Sequence, residues 1–209
     1  MITLALAKGR LAEDTCALLA ACGIDTSVIT APGRQLVRKT PDGKFGFIMV
    51  KPTDVPVYVH AGVADAGVVG KDTLMEANLP LFEMLDLGFC RCRMSVAGFP
   101  DAEPNGPGKL RVATKYPNIA RSWFSQKGIG IDITVLSGSV ELGPLVGLSD
   151  VIVDLVETGS TLKANGLAVL EDIFHISARL VVNQASLKVK ADEINPWLAA
   201  MAAALEAQS

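Results

Sequence analysis

The run LSDVIVDLVETGSTLKANGL, residues 148–167, joins an uninterrupted apolar stretch to a turn and then to a helical segment. Val151, Ile152 and Val153 have no polar residue between them, the pattern of a strand covered on both faces in an α/β protein. Asp154 stands at the C-terminal end of that strand, where open α/β sheets place ligand-binding groups. Thr158, Gly159, Ser160 and Thr161 then form a tight turn into a helix, so backbone N–H groups and hydroxyls converge on one spot. Such a turn suits a phosphate monoester, and it has no lysine of its own.

The two acids beside the turn narrow the ligand. Asp154 and Glu157 are poor neighbours for a triphosphate, because like charges within a few ångströms repel. Carboxylates are good acceptors for vicinal hydroxyls, or ligands for a bridging Mg²⁺. A sugar 5-phosphate with free hydroxyls fits both halves. The competing reading is a glycine turn whose Thr and Ser cap the helix while the acids complement its dipole. Capping needs a single such residue, and this turn offers several.

Outward from this unit, strand-like and helix-like segments alternate along the chain, which predicts an α/β protein with mainly parallel sheets. ITLALA, KFGFIMV, ADAGVVG and LFEMLDLG read as strands; LAEDTCALLAACG, DVPVYVHAG (capped by Asp54) and KDTLMEAN read as helices. FPDAEPNGPGK concentrates Pro and Gly and reads as an exposed excursion. The alternation resumes with LRVAT, YPNIARSWFSQKG, DITVL, a helix start at SVELGPLV, the opening stretch, and a long strand region through ISARLVVN. The last segment, KADEINPWLAAMAAALEAQ, is an amphipathic helix that Asp192 would cap and that Pro196 would start or kink. Two α/β units follow: residues 1–89 with 187–209, and residues 90–186, with a ligand cleft between them.

Composition limits the functional classes. The chain has 209 residues, half of them hydrophobic, which is enough for one large core or two small ones, and the net charge is -3. Broad electrostatic capture of nucleic acid is not expected, although a local basic pocket for an anionic small molecule is compatible with that charge. No segment approaches the ~20 apolar residues that span a membrane, and the N-terminal apolar run is too short for a secretory signal; a cytoplasmic protein is expected. Cys16, Cys22, Cys90 and Cys92, with His60 and His175, lack the spacing of a metal site, so no structural metal is assigned and the thiols read as reduced.

Cations are the second candidate group. Lys8, Gly9 and Arg10 follow the first strand and open the first helix, where an anion can dock, or where two cations are simply solvated. Arg34 and Lys51 lie in or beside turns; together with Lys8 and Arg10 they could neutralise a pyrophosphate. Lys71 follows GVVG, but Asp65 and Asp72 break the nucleotide-loop pattern, and it reads as a helix-start residue.

VIVDLVETGSTL resembles the phosphoribosyl-pyrophosphate motif of the orotate and purine phosphoribosyltransferases, with Val153 in the place of the first of two acids. As a set, LALAKGRL, GRQLV, PTDVPVYVHAGVADAGVVGKDTL and LSGSVELGPLVGLSDVIVDLVETGSTLKANGL closely resemble the ATP phosphoribosyltransferase family, over almost the whole chain and in order. The resemblance implies two α/β domains like the type II periplasmic binding proteins, with the active site in the interdomain cleft. It implies transfer of phosphoribosyl from phosphoribosyl pyrophosphate to N1 of ATP, giving phosphoribosyl-ATP and pyrophosphate with Mg²⁺, the first step of histidine biosynthesis. A ribose 5-phosphate would sit on Thr158, Gly159, Ser160, Thr161 and Leu162, with Asp154, Glu157 and Glu141 as further substrate-binding residues. Lys8, Arg10, Arg34 and Lys51 would stabilise the leaving group; family members often carry Arg where Lys51 stands. The chain ends just after its last helix and so resembles the short form, which works with a histidyl-tRNA-synthetase-like regulatory subunit, as a catalytic dimer within a hetero-oligomer. A solute-binding module is the alternative from another class, since folds of this type mostly bind solutes.

Overall fold

In a computed structural model, which describes residues 1–104 and 108–207, strand β1 (Ile2–Ala7) is buried at every position except half-buried Thr3. Its alternating side chains feed two cores. Ile2, Leu4 and Leu6 join Leu18 and Leu19 of helix α1 (Arg10–Ala21) on one face; Ala5 and Ala7 meet Val55 and Val59 of α3 (Val55–His60) on the other. Each buried Val, Leu or Ile side chain here stabilises the fold by about 1.5–3 kcal/mol. Between α1 and α3 lie the single-turn helix α2 (Ser27–Thr30) and strands β2 (Val37–Lys39) and β3 (Phe45–Val50). After α3 come β4 (Ala66–Gly70), α4 (Lys71–Ala77) and β5 (Phe82–Asp86). Lys71 opens α4 as its sequence position implies, and its ammonium pairs with Glu83.

The chain then builds a second sheet from β6 (Cys92–Gly98), β7 (Leu110–Thr114), α5 (Pro117–Gln126), β8 (Ile131–Val135), α6 (Leu142–Leu145), β9 (Val151–Val156), α7 (Ser160–Ala164) and β10 (Ala168–Ile176). It returns through β11 (Ala178–Val182), α8 (Gln184–Val189) and α9 (Ala191–Glu206). The first unit comprises Met1–Cys90 and Ser177–Ser209, the second Arg91–Ile176. Of the Pro/Gly-rich excursion, Asn105, Gly106 and Pro107 lie outside the described residues, as do Gln208 and Ser209 at the end of the last segment. Among the described residues no helix is long and apolar enough to cross a membrane.

The sheets are mixed rather than mainly parallel. The first has the order β2-β3-β1-β4-β11-β5 and the second β10-β6-β9-β7-β8. β1 runs parallel to β3 and β4, and β7 parallel to β8 and β9; the pairs β2/β3, β11/β4, β11/β5, β6/β9 and β10/β6 are antiparallel. Much of the antiparallel pairing comes from the strands that carry the chain into the second unit, β6, and back out of it, β10 and β11. FHISARLVV has no turn residue, so it reads as one strand, yet it breaks at Ser177. There the hydroxyl donates to Asp86 at 2.6 Å and the carbonyl accepts from the Lys71 amide at 3.1 Å. The return therefore falls at 176/177 and not at 186/187, because β11 pairs with β4 and β5. The first crossing follows Cys90, whose φ is 52°.

Helix ends correct three local expectations. Asp54 makes no side-chain cap, because residues Pro52–Asp54 already form a 3₁₀ turn and Asp54 is itself helical. Asp192 lies within α9, whose N-cap is Lys190, and Pro196 is accommodated inside that helix. The side-chain cap is Asn183, whose Oδ1 accepts from the amides of Ala185 and Ser186 at 2.9 Å, as an Asn at an N-cap should.

Buried Asp65 ties this C-terminal segment to β1. Its carboxylate accepts from the Thr3 amide (2.8 Å), the Ser186 hydroxyl (2.7 Å) and the Lys190 ammonium (2.7 Å). Burial pushes its pKa up, but the bonds from Lys190, Thr3 and Ser186 outweigh burial and hold it below the ordinary carboxylate value. A folded-state pKa below the unfolded one means that this stabilisation is complete above about pH 4 and is lost as pH falls through the folded value. Asp65→Ala is expected to lower stability by about 2 kcal/mol, read as a lower urea midpoint at pH 7, with the difference from the native chain shrinking in acid.

Candidate active site

The turn of the opening stretch is built from β9 outwards. Ile152 and Val156 point into a core with Val140 and Leu162. Asp154, half-buried between them on the strand, shares their face by alternation. Beyond β9 the chain must reverse into α7, and Gly159 makes the reversal with φ 75° and ψ 7°, a left-handed conformation that glycine adopts without strain. The Thr158 hydroxyl lies 3.0 Å from that of Ser160 and accepts from the Ser160 amide at 3.3 Å. Leu162 is buried and anchors the turn, leaving Thr158, Ser160 and Thr161 exposed.

A cavity of about 230 Å³ gathers every residue that the sequence assigns to the sugar phosphate: Asp154, Glu157, Thr158, Gly159, Ser160, Thr161, Leu162 and Glu141. Glu141 arrives from the segment after β8, just before α6. Ser95 of β6 also lines the cavity and had no local signal in the sequence. It stands opposite Asp154 in the β6/β9 register, is wholly buried, and donates to Asp172 at 2.7 Å. The lining of the cavity thus combines the hydroxyls of the turn with three carboxylates. That combination can bind a phosphorylated polyol.

In the first unit, topology brings the four cations to one sheet edge. Lys8 follows β1 and Lys51 follows β3, two parallel strands whose last residues, Ala7 and Val50, are in register. Arg10 begins α1. β2 is antiparallel to β3, so the segment carrying Arg34 in front of it lies at the same C-terminal edge; the Met49 amide donates to the Leu36 carbonyl at 2.8 Å there. Lys8, Arg10, Arg34 and Lys51 are all exposed. Arg10 is hydrogen-bonded to the Cys90 thiol, which donates to Asp14 at 3.4 Å; burial pushes that thiol's pKa up. Lys8 and Gly9 line a cavity of about 270 Å³ with Gly33 and Arg38, a residue the sequence did not single out.

As to metal, no group of three or more His, Cys, Asp or Glu that could hold an ion occurs among the described residues. Mg²⁺ commonly binds through one or two carboxylates plus substrate phosphates and water, and a carboxylate of the cavity, such as Asp154, would suit that mode once a phosphorylated substrate supplied the other donors.

The fold is that of the type II periplasmic binding proteins, here carrying an acid-flanked turn of Thr, Gly and Ser. The periplasmic aliphatic sulphonate binding protein SsuA of Escherichia coli matches 98% of this chain and 72% of its own, with a TM-score of 0.59 at 14% identity, a likeness of fold alone. The ATP phosphoribosyltransferase family model matches residues 51–203. ATP phosphoribosyltransferases of Streptococcus gordonii and Alkaliphilus metalliredigens are 50% and 53% identical to it, over 95% and 93% of this chain and 92% and 93% of theirs. The ATP phosphoribosyl transferase (HisG:HisZ) complex from Thermotoga maritima contains a chain that aligns with a TM-score of 0.86 at 37% identity, covering 99% of each. The chain belongs to the ATP phosphoribosyltransferase family, pentosyltransferases of the first step of histidine biosynthesis.

Proposed function

We propose that the chain binds phosphoribosyl pyrophosphate with its ribose 5-phosphate on the turn of Thr158, Gly159, Ser160, Thr161 and Leu162, and transfers the phosphoribosyl group to N1 of ATP. The observation that carries this reading is the single cavity in which that turn meets Asp154, Glu157 and Glu141. The turn's amides and hydroxyls take the phosphate; Asp154 accepts from the ribose hydroxyls, and Glu157 and Glu141 complete the acidic side.

As the C1–O bond breaks, the ribose gains oxocarbenium character and the pyrophosphate gains charge. Lys8, Arg10, Arg34 and Lys51 meet that charge and stabilise it as it develops. Lys51 supplies a point charge where an arginine would supply a two-pronged donor. Bound Mg²⁺ would neutralise pyrophosphate oxygens, with the carboxylates of the cavity and the substrate as its donors. No covalent nucleophile enters the scheme.

The likeness to a chain of the HisG:HisZ complex supports a hetero-oligomer with a regulatory subunit; within it we propose a catalytic dimer and a regulatory partner similar to histidyl-tRNA synthetase. With ATP as co-substrate, the enzyme works in the cytoplasm. A solute-binding role has only fold likeness in its favour.

Purified protein supplied with ATP, phosphoribosyl pyrophosphate and Mg²⁺ is expected to release pyrophosphate, and to do so faster with the regulatory subunit. Release in neither case would overturn the reading. Thr161→Ala, which removes one hydroxyl from the phosphate, should weaken phosphoribosyl pyrophosphate binding about tenfold in a calorimetric titration; unchanged affinity would remove Thr161 from the site.

A further inference from the structure

Residues 31–37 are exposed at every position, so the segment carrying Arg34 has little apolar contact to hold it. Besides the hydrogen bonds from the Ala31 amide to the Ser27 carbonyl and from the Met49 amide to the Leu36 carbonyl, one side chain binds several of the carbonyls of this region. Nη1 of Arg38, in β2, shares its two N–H groups among the carbonyls of Val28 (2.7 Å), Ile29 (2.9 Å) and Ala31 (2.6 Å), while Nη2 donates to that of Gly33 (3.3 Å) and Nε to that of Gln35 (3.2 Å). The first two carbonyls belong to α2, where a helix C-terminus leaves acceptors unpaired and favours a cation. The last two flank Arg34 in the chain. Gly33 reaches its bond with φ 136°, a conformation that suits glycine alone.

We propose that Arg38 is a positioning residue for Arg34. Its guanidinium clamps the carbonyls on both sides of Arg34 and fixes the backbone from which that side chain meets the leaving group. The inference rests on the leaving-group role assigned to Arg34 above. A planar guanidinium has five N–H donors in a fixed fork, which is what binding several carbonyls of one loop requires; lysine has three donors and no fork.

The test is a double-mutant cycle on the full chain with its regulatory subunit, read as kcat and as amide exchange. Arg38→Met is expected to lower kcat about tenfold, within the range that small displacements of a charge-stabilising group produce. KM for ATP should stay within about twofold. In an Arg34→Ala background the same substitution should change kcat by less than about twofold, because the group it positions is gone. Amides of residues 28–31 and 33–36 should exchange faster, as should that of Met49, which donates to the Leu36 carbonyl, with β1 unchanged. Should Arg38→Met fail to fold, Arg38→Lys replaces it in the cycle, with an intermediate loss expected. Equal losses in both backgrounds, or a folded variant with wild-type kcat and exchange, would overturn the proposal. If Arg34→Ala alone leaves kcat intact, the role of Arg34 fails and the proposal with it.

Discussion

Arg34→Ala is expected to lower kcat about 10²–10³-fold, the usual effect of removing one preorganised donor from a developing negative charge. The side chain belongs to the exposed segment that precedes β2, at the edge of the sheet where Lys8 and Lys51 also emerge. Charge on the pyrophosphate grows as the C1–O bond breaks, so the guanidinium gains more from the transition state than from the bound substrate. The loss should therefore fall on kcat and kcat/KM alike, with KM for phosphoribosyl pyrophosphate little changed. Single-turnover pyrophosphate release measures this. A rise in KM with kcat intact would show that Arg34 only binds.

Gly159→Asp should act on the other end of the substrate. Gly159 is left-handed, and a Cβ added there would meet nothing closer than Val156 Cγ1 at 3.8 Å. Aspartate is among the residues that tolerate this conformation, so the fold should survive. A carboxylate placed beside the phosphate costs about 2–3 kcal/mol of binding at a partly solvated site, roughly 30- to 150-fold in affinity. Calorimetry with phosphoribosyl pyrophosphate checks it, alongside a thermal scan showing the variant still folded at the titration temperature despite the strain of a side chain at φ 75°.

What could be read from the sequence was what the sequence encodes locally. The β9 turn is a run of neighbours, so its strand, its glycine and its acids were all visible together, and they line one cavity. Lys8, Arg10 and Lys51 follow recognisable strands, although only the β1/β3 register brings two of them to one edge. Long-range pairing was invisible. Ser95 enters the cavity through the β6/β9 register, and Asp65 meets Ser186 and Lys190 across most of the chain. Ser177 breaks an apolar run that carries no turn signal, so the sequence puts the return between units some ten residues later than the structure does. Asp54 and Asp192 had the composition of caps, but each lies beside or within a helical turn already formed. Nothing in the sequence singles out Arg38, because carbonyl acceptors leave no mark there.

The division of labour between the two groups of residues is open to one direct measurement, the affinity of ribose 5-phosphate, which carries the sugar phosphate and no pyrophosphate. Wild type and Arg34→Ala should bind it equally, while Gly159→Asp should bind it at least about tenfold more weakly. Loss of binding in Arg34→Ala with full binding in Gly159→Asp would contradict the account.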